Sequence, residues 1–84
     1  MHLLSVIKNP QDFDAIMHLF LTMDERRDLA DRYLIVKHFL DEKLTQREIA
    51  ADLGVSISKI TRGSNSVQLI DDHLKSVLKK NMLK

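Results

Sequence analysis

The chain has 84 residues, of which 44% are hydrophobic, and its formal net charge of +1 by itself indicates no particular class of partner. Because cysteine is absent, a disulfide framework, a thiol nucleophile and a zinc site with thiolate ligands are all excluded. The length favours a single domain over residues 1–84. No stretch has the ~20 apolar residues of a membrane helix, and the apolar residues 1–7 are too short for a signal peptide. We therefore expect a cytoplasmic protein.

Two helix starts are evident in the first half of the chain. Asn9 followed by Pro10 is typical of an N-cap with proline at the first helical position. Thr22 and Glu25 have the spacing of a capping box, in which each side chain accepts a hydrogen bond from a free backbone N–H. We therefore expect one helix to start at Pro10 and a second to run from about residue 23 to about residue 41.

The second of these helices contains four consecutive large apolar residues, which are Tyr33, Leu34, Ile35 and Val36. Such a run covers the whole circumference of a helix, so the helix should be buried on several sides. In so small a chain this pattern favours packing against a second copy as well as within one subunit, that is, a homodimer. A central helix in a monomeric bundle is the alternative.

The second half of the chain predicts three more helices. Thr45 and Glu48 form a second capping box, and Gly54 is suited to the left-handed conformation that ends a helix. Ser56 is suited to cap a short helix from residue 57, which we expect to end or loosen at Gly63 because residues 63–66 form a polar, loop-like cluster. A final amphipathic helix carries Ile70, Leu74, Val77 and Leu78, with Lys75, Lys79, Lys80 and Lys84 toward its C-terminal end.

Residues 46–63, within the segment 45–66, match the pattern of a helix-turn-helix. The positions that should be buried or close-packed carry no charge, and they are Ile49, Ala50, Leu53, Val55 and Ile60, with Gly54 in the turn. In this motif the start of the second helix enters the major groove. The side chains then in reach of DNA are Ile57, Ser58, Lys59 and Thr61, together with Arg47 from the first helix. A purely structural helix pair is the alternative.

The run Ile60-Thr61-Arg62-Gly63-Ser64-Asn65-Ser66 closely resembles the signature of the tryptophan repressor family. The likeness extends upstream through residues 19–26, Arg32 and residues 44–48, without a gap. The resemblance implies an all-α fold, an intertwined helical homodimer that carries a helix-turn-helix. It also implies a transcriptional repressor that binds double-stranded operator DNA as a dimer, with L-tryptophan as corepressor and no metal.

The resemblance also implies the site residues. Arg32 and Arg62 correspond to the two arginines whose guanidinium groups sandwich the indole, and Arg62 would take the carboxylate. The ligand set comprises Leu19, Leu21, Thr22, Arg32, Arg62, Gly63 and Ser66, of which the first three would offer backbone carbonyls to the ligand ammonium across the subunit interface. The implied DNA contacts are Arg26, Gln46, Arg47, Ile57, Ser58, Thr61 and Asn65. Lys59 stands where the family has a small hydroxyl residue, and we expect its charge to alter ligand affinity or to add a phosphate contact.

Two other functions are compatible with these patterns. A helix-turn-helix regulator could keep this scaffold and answer to a different ligand or to none, and a helical protein-interaction module would never touch nucleic acid. We do not expect an enzyme, because the four histidines are scattered without the spacing of a metal site and no candidate nucleophile lies nearby. The Asp71-Asp72-His73 cluster is better explained as an exposed helix start.

Overall fold

The computed structural model describes residues 2–83, and Met1 and Lys84 lie outside the described residues. Within that range the chain is all-α, as the sequence predicted. It forms the helices α1 His2–Val6, α2 Pro10–Phe20, α3 Met23–Asp41, α4 Gln46–Leu53, α5 Ile57–Gln68 and α6 Asp72–Met82. No helix among residues 2–83 combines the length and the apolar character that crossing a bilayer requires.

The predicted helix starts are confirmed by their capping hydrogen bonds. The Asn9 side chain accepts a hydrogen bond from the backbone N–H of Gln11 at 2.8 Å, one residue after Pro10. The Thr22 hydroxyl accepts a hydrogen bond from the Glu25 N–H at 3.1 Å, and the Glu25 carboxylate accepts one from the Thr22 N–H at 2.9 Å. These reciprocal bonds satisfy backbone donors that the first turn of a helix leaves free.

The turn between α4 and α5 also follows the sequence prediction. The Thr45–Glu48 capping box starts α4, and Gly54 ends it in the left-handed conformation with φ 65° and ψ 34°. The Ser56 hydroxyl then accepts a hydrogen bond from the Lys59 N–H at 3.3 Å and so caps α5.

The prediction that α5 ends or loosens at Gly63 is wrong. The helix continues to Gln68, and residues 63–66 are helical rather than a loop. Gly63 is fully enclosed where α5 crosses α3, and a Cβ atom there would collide with the Cγ2 atom of Ile35. A glycine inside a helix costs only ~1 kcal/mol relative to alanine, so a close helix crossing can require it without ending the helix.

Two further differences concern the ends of the chain. The sequence did not predict α1, and the last helix begins later than expected, because Asp71 is its N-cap and accepts a hydrogen bond from the Leu74 N–H at 2.8 Å. Ile70 therefore lies in the connection before α6. Of the four lysines predicted for the end of this helix, Lys84 lies outside the described residues.

The core sits where α3, α4 and α5 meet. One isoleucine from each helix is almost completely buried, with Ile35 1% exposed and both Ile49 and Ile60 0% exposed. Around them lie the partly buried side chains of Phe39, Leu44, Ala50, Leu53 and Val55. Helix α3 also contacts α2 and α6, which makes it the central helix of the fold.

Much of the apolar surface of the chain remains exposed. The large apolar side chains with at least 40% of their surface exposed are Leu3, Leu4, Val6, Phe13, Leu19, Phe20, Met23, Leu29, Tyr33, Leu34, Ile57, Leu69, Leu74 and Val77. In the apolar run on α3, Ile35 is buried, whereas Tyr33 is 50% exposed and Leu34 is 41% exposed. One copy of the chain therefore does not cover the circumference of its own central helix.

Candidate functional site

A cleft of about 430 Å³ lies between α3 and α5. This volume is within the range of ~300–1,000 Å³ that is usual for small-molecule sites. The side chains that line the cleft are Leu21, Glu25, Asp28, Leu29, Asp31, Arg32, Ile35, Lys59 and Arg62. Apolar surface, three cationic groups and three acidic groups therefore meet in one opening, in which the two arginines are able to stack on a flat ligand and bind an anionic group.

Arg32 of α3 and Arg62 of α5, which the sequence analysis named as the ligand pair, both line this cleft. The guanidinium Nη1 of Arg32 donates a hydrogen bond to the Ser66 hydroxyl at 3.1 Å, and that hydroxyl donates to the backbone carbonyl of Arg62 at 3.0 Å. Ser66 thereby ties the Arg32 side chain to the helix that carries Arg62. It acts on the cleft through Arg32, since it is not itself among the lining residues.

Helix α5 presents three different sides to its surroundings. Because successive residues turn by about 100° around a helix, Ile60 and Gly63 share the side that is buried in the core. Lys59 and Arg62 point to the cleft. The remaining side carries Ile57, Ser58, Thr61 and Asn65, all of which are exposed. A shift of α5 across the cleft would therefore also move its exposed side.

The exposed side of α5 continues onto the start of α4. Gln46 and Arg47 occupy the first turn of α4, and both are exposed. Six of the eight residues predicted to contact DNA are thus exposed on this helix pair, namely Gln46, Arg47, Ile57, Ser58, Thr61 and Asn65. The other two, Arg26 and Lys59, are partly buried and are engaged within the chain.

Lys59 makes two ionic contacts between α5 and α3. Its ammonium Nζ lies 2.9 Å from the Asp28 carboxylate and 3.2 Å from that of Asp31. These hydrogen bonds, the one to Asp28 first, raise the pKa of the Lys59 ammonium above its usual value of 10.5. The side chain thus lies on the wall of the proposed ligand cleft, in contact with two acids that the sequence did not reveal. Its expected effect on ligand affinity or on a phosphate contact stays a prediction.

The remaining predicted ligand residues are distributed around the cleft. Leu21 lines it, and its backbone carbonyl accepts a hydrogen bond from the Arg26 guanidinium at 2.8 Å. Leu19 and Thr22 are exposed and are not among the lining residues. Gly63 does not line the cleft and is packed against Ile35. Within one subunit its role is to allow α5 to cross close to α3.

Most of the chain also matches known proteins in sequence. A family model described as "Trp repressor protein" matches residues 1–82. The chain belongs to the Trp repressor protein family. It is 52% identical over 79 residues to a Trp operon repressor homolog of Chlamydia caviae, a match that covers 94% of this chain and 78% of the relative.

More distant relatives in the Trp repressor family carry the same description. A Trp operon repressor homolog of Chlamydia trachomatis serovar D is 42% identical over 80 residues, which cover 95% of this chain and 85% of the relative. One from Xylella fastidiosa strain M23 is also 42% identical, over 71 residues that cover 84% of this chain and 75% of the relative. The family assignment made from residues 60–66 and the upstream motifs is therefore confirmed.

Within this Trp repressor family member, sequence reasoning missed the acidic part of the cleft wall. Asp28 and Asp31 lie one helical turn apart on α3, and the only sequence signal for them was this spacing beside Arg32. Their partner Lys59 is 31 and 28 residues away, so only the folded chain brings the three together. Among residues 2–83, no three His, Asp or Glu side chains are close enough to hold a metal ion.

Proposed function

We propose that this chain is a transcriptional repressor that binds operator DNA as a homodimer, with L-tryptophan as corepressor. The observation that carries the proposal is the arrangement of α5, which has one side on the cleft with Arg62 and another side exposed and polar. Membership of the Trp repressor family and relatives named Trp operon repressor homolog support it.

The residues of the cleft suit an aromatic amino acid. The flat guanidinium groups of Arg32 and Arg62 would stack on the faces of the ring, and Arg62 would also pair with the carboxylate. The apolar side chains of Leu21, Leu29 and Ile35 supply the rest of a surface for an indole. Backbone carbonyls of Leu19, Leu21 and Thr22 from a second copy of the chain would accept the ammonium. Those of Leu21 and Thr22 each already accept one hydrogen bond from Arg26 and would use their second lone pair.

A homodimer accounts for the apolar surface that one copy leaves exposed. Leu69 is 86% exposed, Leu19 76%, Met23 67% and Phe20 65%. Exposed apolar residues gathered into large patches mark interaction surfaces in soluble proteins. A second copy that covers these helices would also complete the cleft, because two of the residues whose carbonyls are proposed as acceptors, Leu19 and Thr22, do not line the cleft of their own subunit.

The exposed side of the α4–α5 pair suits the major groove. Ser58, Thr61 and Asn65 offer hydroxyl and amide groups that bond base edges or phosphates, directly or through water. Arg47 at the start of α4 would pair with a phosphate or a guanine. Two such units in a two-fold dimer would read two half-sites one helical turn apart.

Coupling between the cleft and the DNA follows from linkage. A ligand raises DNA affinity only if it binds more tightly to the orientation of α5 that fits the groove. Arg62 and the exposed Thr61 are adjacent on this helix, so an α5 held through Arg62 also presents Thr61 in one orientation. By the same linkage, operator DNA must raise the affinity for L-tryptophan by an equal factor.

The first experiment identifies a DNA site and tests its dependence on the ligand. Duplexes are selected from a random-sequence library in the presence of L-tryptophan, and the best is then titrated in gel shifts with and without it. We expect higher affinity with L-tryptophan and a steep fall in affinity with salt. Equal affinity in both conditions would instead support a regulator of another ligand, and no salt-dependent binding would support a protein-interaction module.

The second experiment measures the ligand and the dimer without DNA. Calorimetry should detect L-tryptophan binding to the wild type and its loss in Arg32→Ala, while Arg27→Ala, an exposed arginine on the same helix, serves as the matched control. Ser66→Ala should weaken binding severalfold, because it frees the Arg32 guanidinium. Sedimentation should give twice the monomer mass, and a confirmed dimer that binds no L-tryptophan would refute the corepressor.

The regulator with a different ligand is the second candidate, and one observation favours it. Lys59, Asp28 and Asp31 place three charges on the cleft wall, where the tryptophan repressor signature implies a small hydroxyl side chain. A ring carrying polar substituents would contact such a wall at a smaller desolvation cost than a bare indole edge. Competition of substituted aromatic amino acids against L-tryptophan in the same calorimeter decides between the two ligands.

A further inference from the structure

The first turn of α5 is held on two sides. Ile60 is completely buried in the core, which fixes the distance of the helix from α3. Lys59 lies about 100° further around the helix, and its ammonium bonds to Asp28 and Asp31 on α3. Its backbone N–H is bonded to the capping Ser56 hydroxyl, so the residue is tied at both ends. Ile60 and the Lys59 ammonium lie on different sides of α5. Their contacts, with the core and with the two aspartates, therefore together resist rotation of the helix about its own axis.

This ionic contact spans the same gap as the proposed ligand. The cleft is lined by Lys59, Asp28 and Asp31 together with the two arginines. Of these arginines, Arg62 lies one helical turn after Lys59 on α5, and Arg32 lies on α3. Among residues 2–83, the ion pairs that link α3 to α5 both involve Lys59, since the remaining ones link α3 to α4 or lie within neighbouring residues. The protein itself thus supplies an ionic bridge across the gap of the proposed ligand, in addition to the hydrogen bond from Arg32 to Ser66.

We infer that Lys59 is a positioning residue, which through Asp28 and Asp31 holds the DNA-reading helix in its binding orientation when no ligand is present. This inference rests on the proposed function for its DNA readout. If α5 already occupies the binding orientation in part of the ligand-free molecules, the ligand can increase the population of that orientation by a smaller factor. The ligand-free protein therefore keeps substantial DNA affinity, and L-tryptophan raises it by a smaller factor than it would without the bridge.

The direction in which Asp31→Asn changes the DNA affinity distinguishes this role from a phosphate contact by Lys59. If Lys59 positions α5, Lys59→Gln and Asp31→Asn both weaken ligand-free DNA binding. If Lys59 instead binds a phosphate, Asp31→Asn releases the ammonium and strengthens DNA binding, while Lys59→Gln weakens it and lowers the salt slope by about one. Lys37→Gln removes an exposed lysine of α3 that lies outside the cleft and is the matched control.

The expected effects follow from the strength of exposed ion pairs. Lys59→Gln removes two of them and should lower the ligand-free DNA affinity about three- to tenfold, and Asp31→Asn should lower it about two- to fivefold. Combining the two should add little to Lys59→Gln alone, because both act on one contact. Saturating L-tryptophan should restore most of the loss, so that the ligand-induced gain becomes larger in Lys59→Gln than in the wild type.

A measurement without DNA tests the positioning itself. Amide hydrogen exchange at residues 57–61 of the ligand-free protein should be faster in Lys59→Gln and Asp31→Asn than in the wild type and in Lys37→Gln. The difference should shrink at about 1 M salt, where the Debye length is only ~3 Å. Unchanged exchange, or stronger DNA binding by Asp31→Asn, would overturn the inference. If no form of the protein binds DNA, the proposed function fails, and the exchange difference alone decides whether Lys59 positions α5.

Discussion

Replacement of Gly63 by alanine tests the close crossing of α5 over α3. The new Cβ would overlap the Cγ2 atom of Ile35 and would lie 3.5 Å from its Cβ. Cγ2 is attached directly to Cβ in a β-branched residue, so it cannot swing away as the end of a flexible side chain would. Ile35 is only 1% exposed, so the packing around it restricts its movement. One of the two helices must therefore shift.

The net magnitude is the difference between two opposing effects. Alanine is favoured over glycine inside a helix by ~1 kcal/mol, whereas an extra methyl group in a packed core costs ~1–3 kcal/mol. The stiffness of Ile35 puts the second effect near the top of its range. We therefore expect Gly63→Ala to lower the free energy of unfolding by about 2 kcal/mol.

Urea unfolding followed by circular dichroism measures this change. All variants are compared at one protein concentration, because the stability of a dimer depends on it. Asn65→Ala, at an exposed position of the same helix, is the control and should leave stability equal or slightly higher. In an Ile35→Ala background the obstacle is gone, so that Gly63→Ala should become stabilising. If Gly63→Ala stabilises the unmodified chain by ~1 kcal/mol, the close crossing is refuted.

Substitutions at four other positions have definite expected outcomes. Ile60→Ala should lower the free energy of unfolding by about 2–5 kcal/mol, measured by urea, because it opens a cavity at a completely buried site. Gly54→Ala should lower the free energy of unfolding by about 1–2 kcal/mol in the same assay, because the φ of 65° is strained for alanine even though no atom lies within 4 Å of the new Cβ. Gly54→Asn should lower it less, because asparagine tolerates this conformation better. Thr45→Ala should cost about 1 kcal/mol by removing the cap of α4. Hydrogen bonds from the Thr45 backbone N–H and hydroxyl hold the pKa of Glu48 below its usual 4.5, so this stabilisation is complete above that pH and is lost as the pH falls through the lowered pKa. In Glu48→Gln the acid-side fall in thermal stability should be smaller than in the wild type, and an identical fall would contradict this.

Local sequence signals predicted most of the secondary structure. The two capping boxes, at Thr22 and Thr45, place helix starts because their hydrogen bonds join residues only three positions apart. Gly54 marked a helix end correctly, since its left-handed conformation is a local property of the backbone. The failure at Gly63 has the opposite cause. A glycine required by contact with a residue 28 positions away looks the same in the sequence as one that ends a helix.

The ligand and DNA roles of the site residues stay predictions, and the structure adds only where these residues lie. Arg32 and Arg62 were named from the family signature, and both line one cleft. The acidic partners of Lys59 were not found, because a lysine at the start of a helix is equally compatible with solvent, phosphate or a carboxylate. Its partner is decided by the path of α3, which no local pattern of α5 reveals.

The amino-acid sequence by itself determined the helical class, most helix starts and the family, and through the family it named the residues that we propose bind an aromatic amino acid or DNA. These depend on hydrogen bonds within one turn, on apolar spacing and on the identity of the side chains. Only the tertiary structure decided that α5 runs through Gly63 and that Lys59 bonds to two acids on the cleft wall. It also decided which large apolar side chains one copy leaves exposed. Such outcomes depend on contacts between distant residues, whose energies arise only when the helices are packed together.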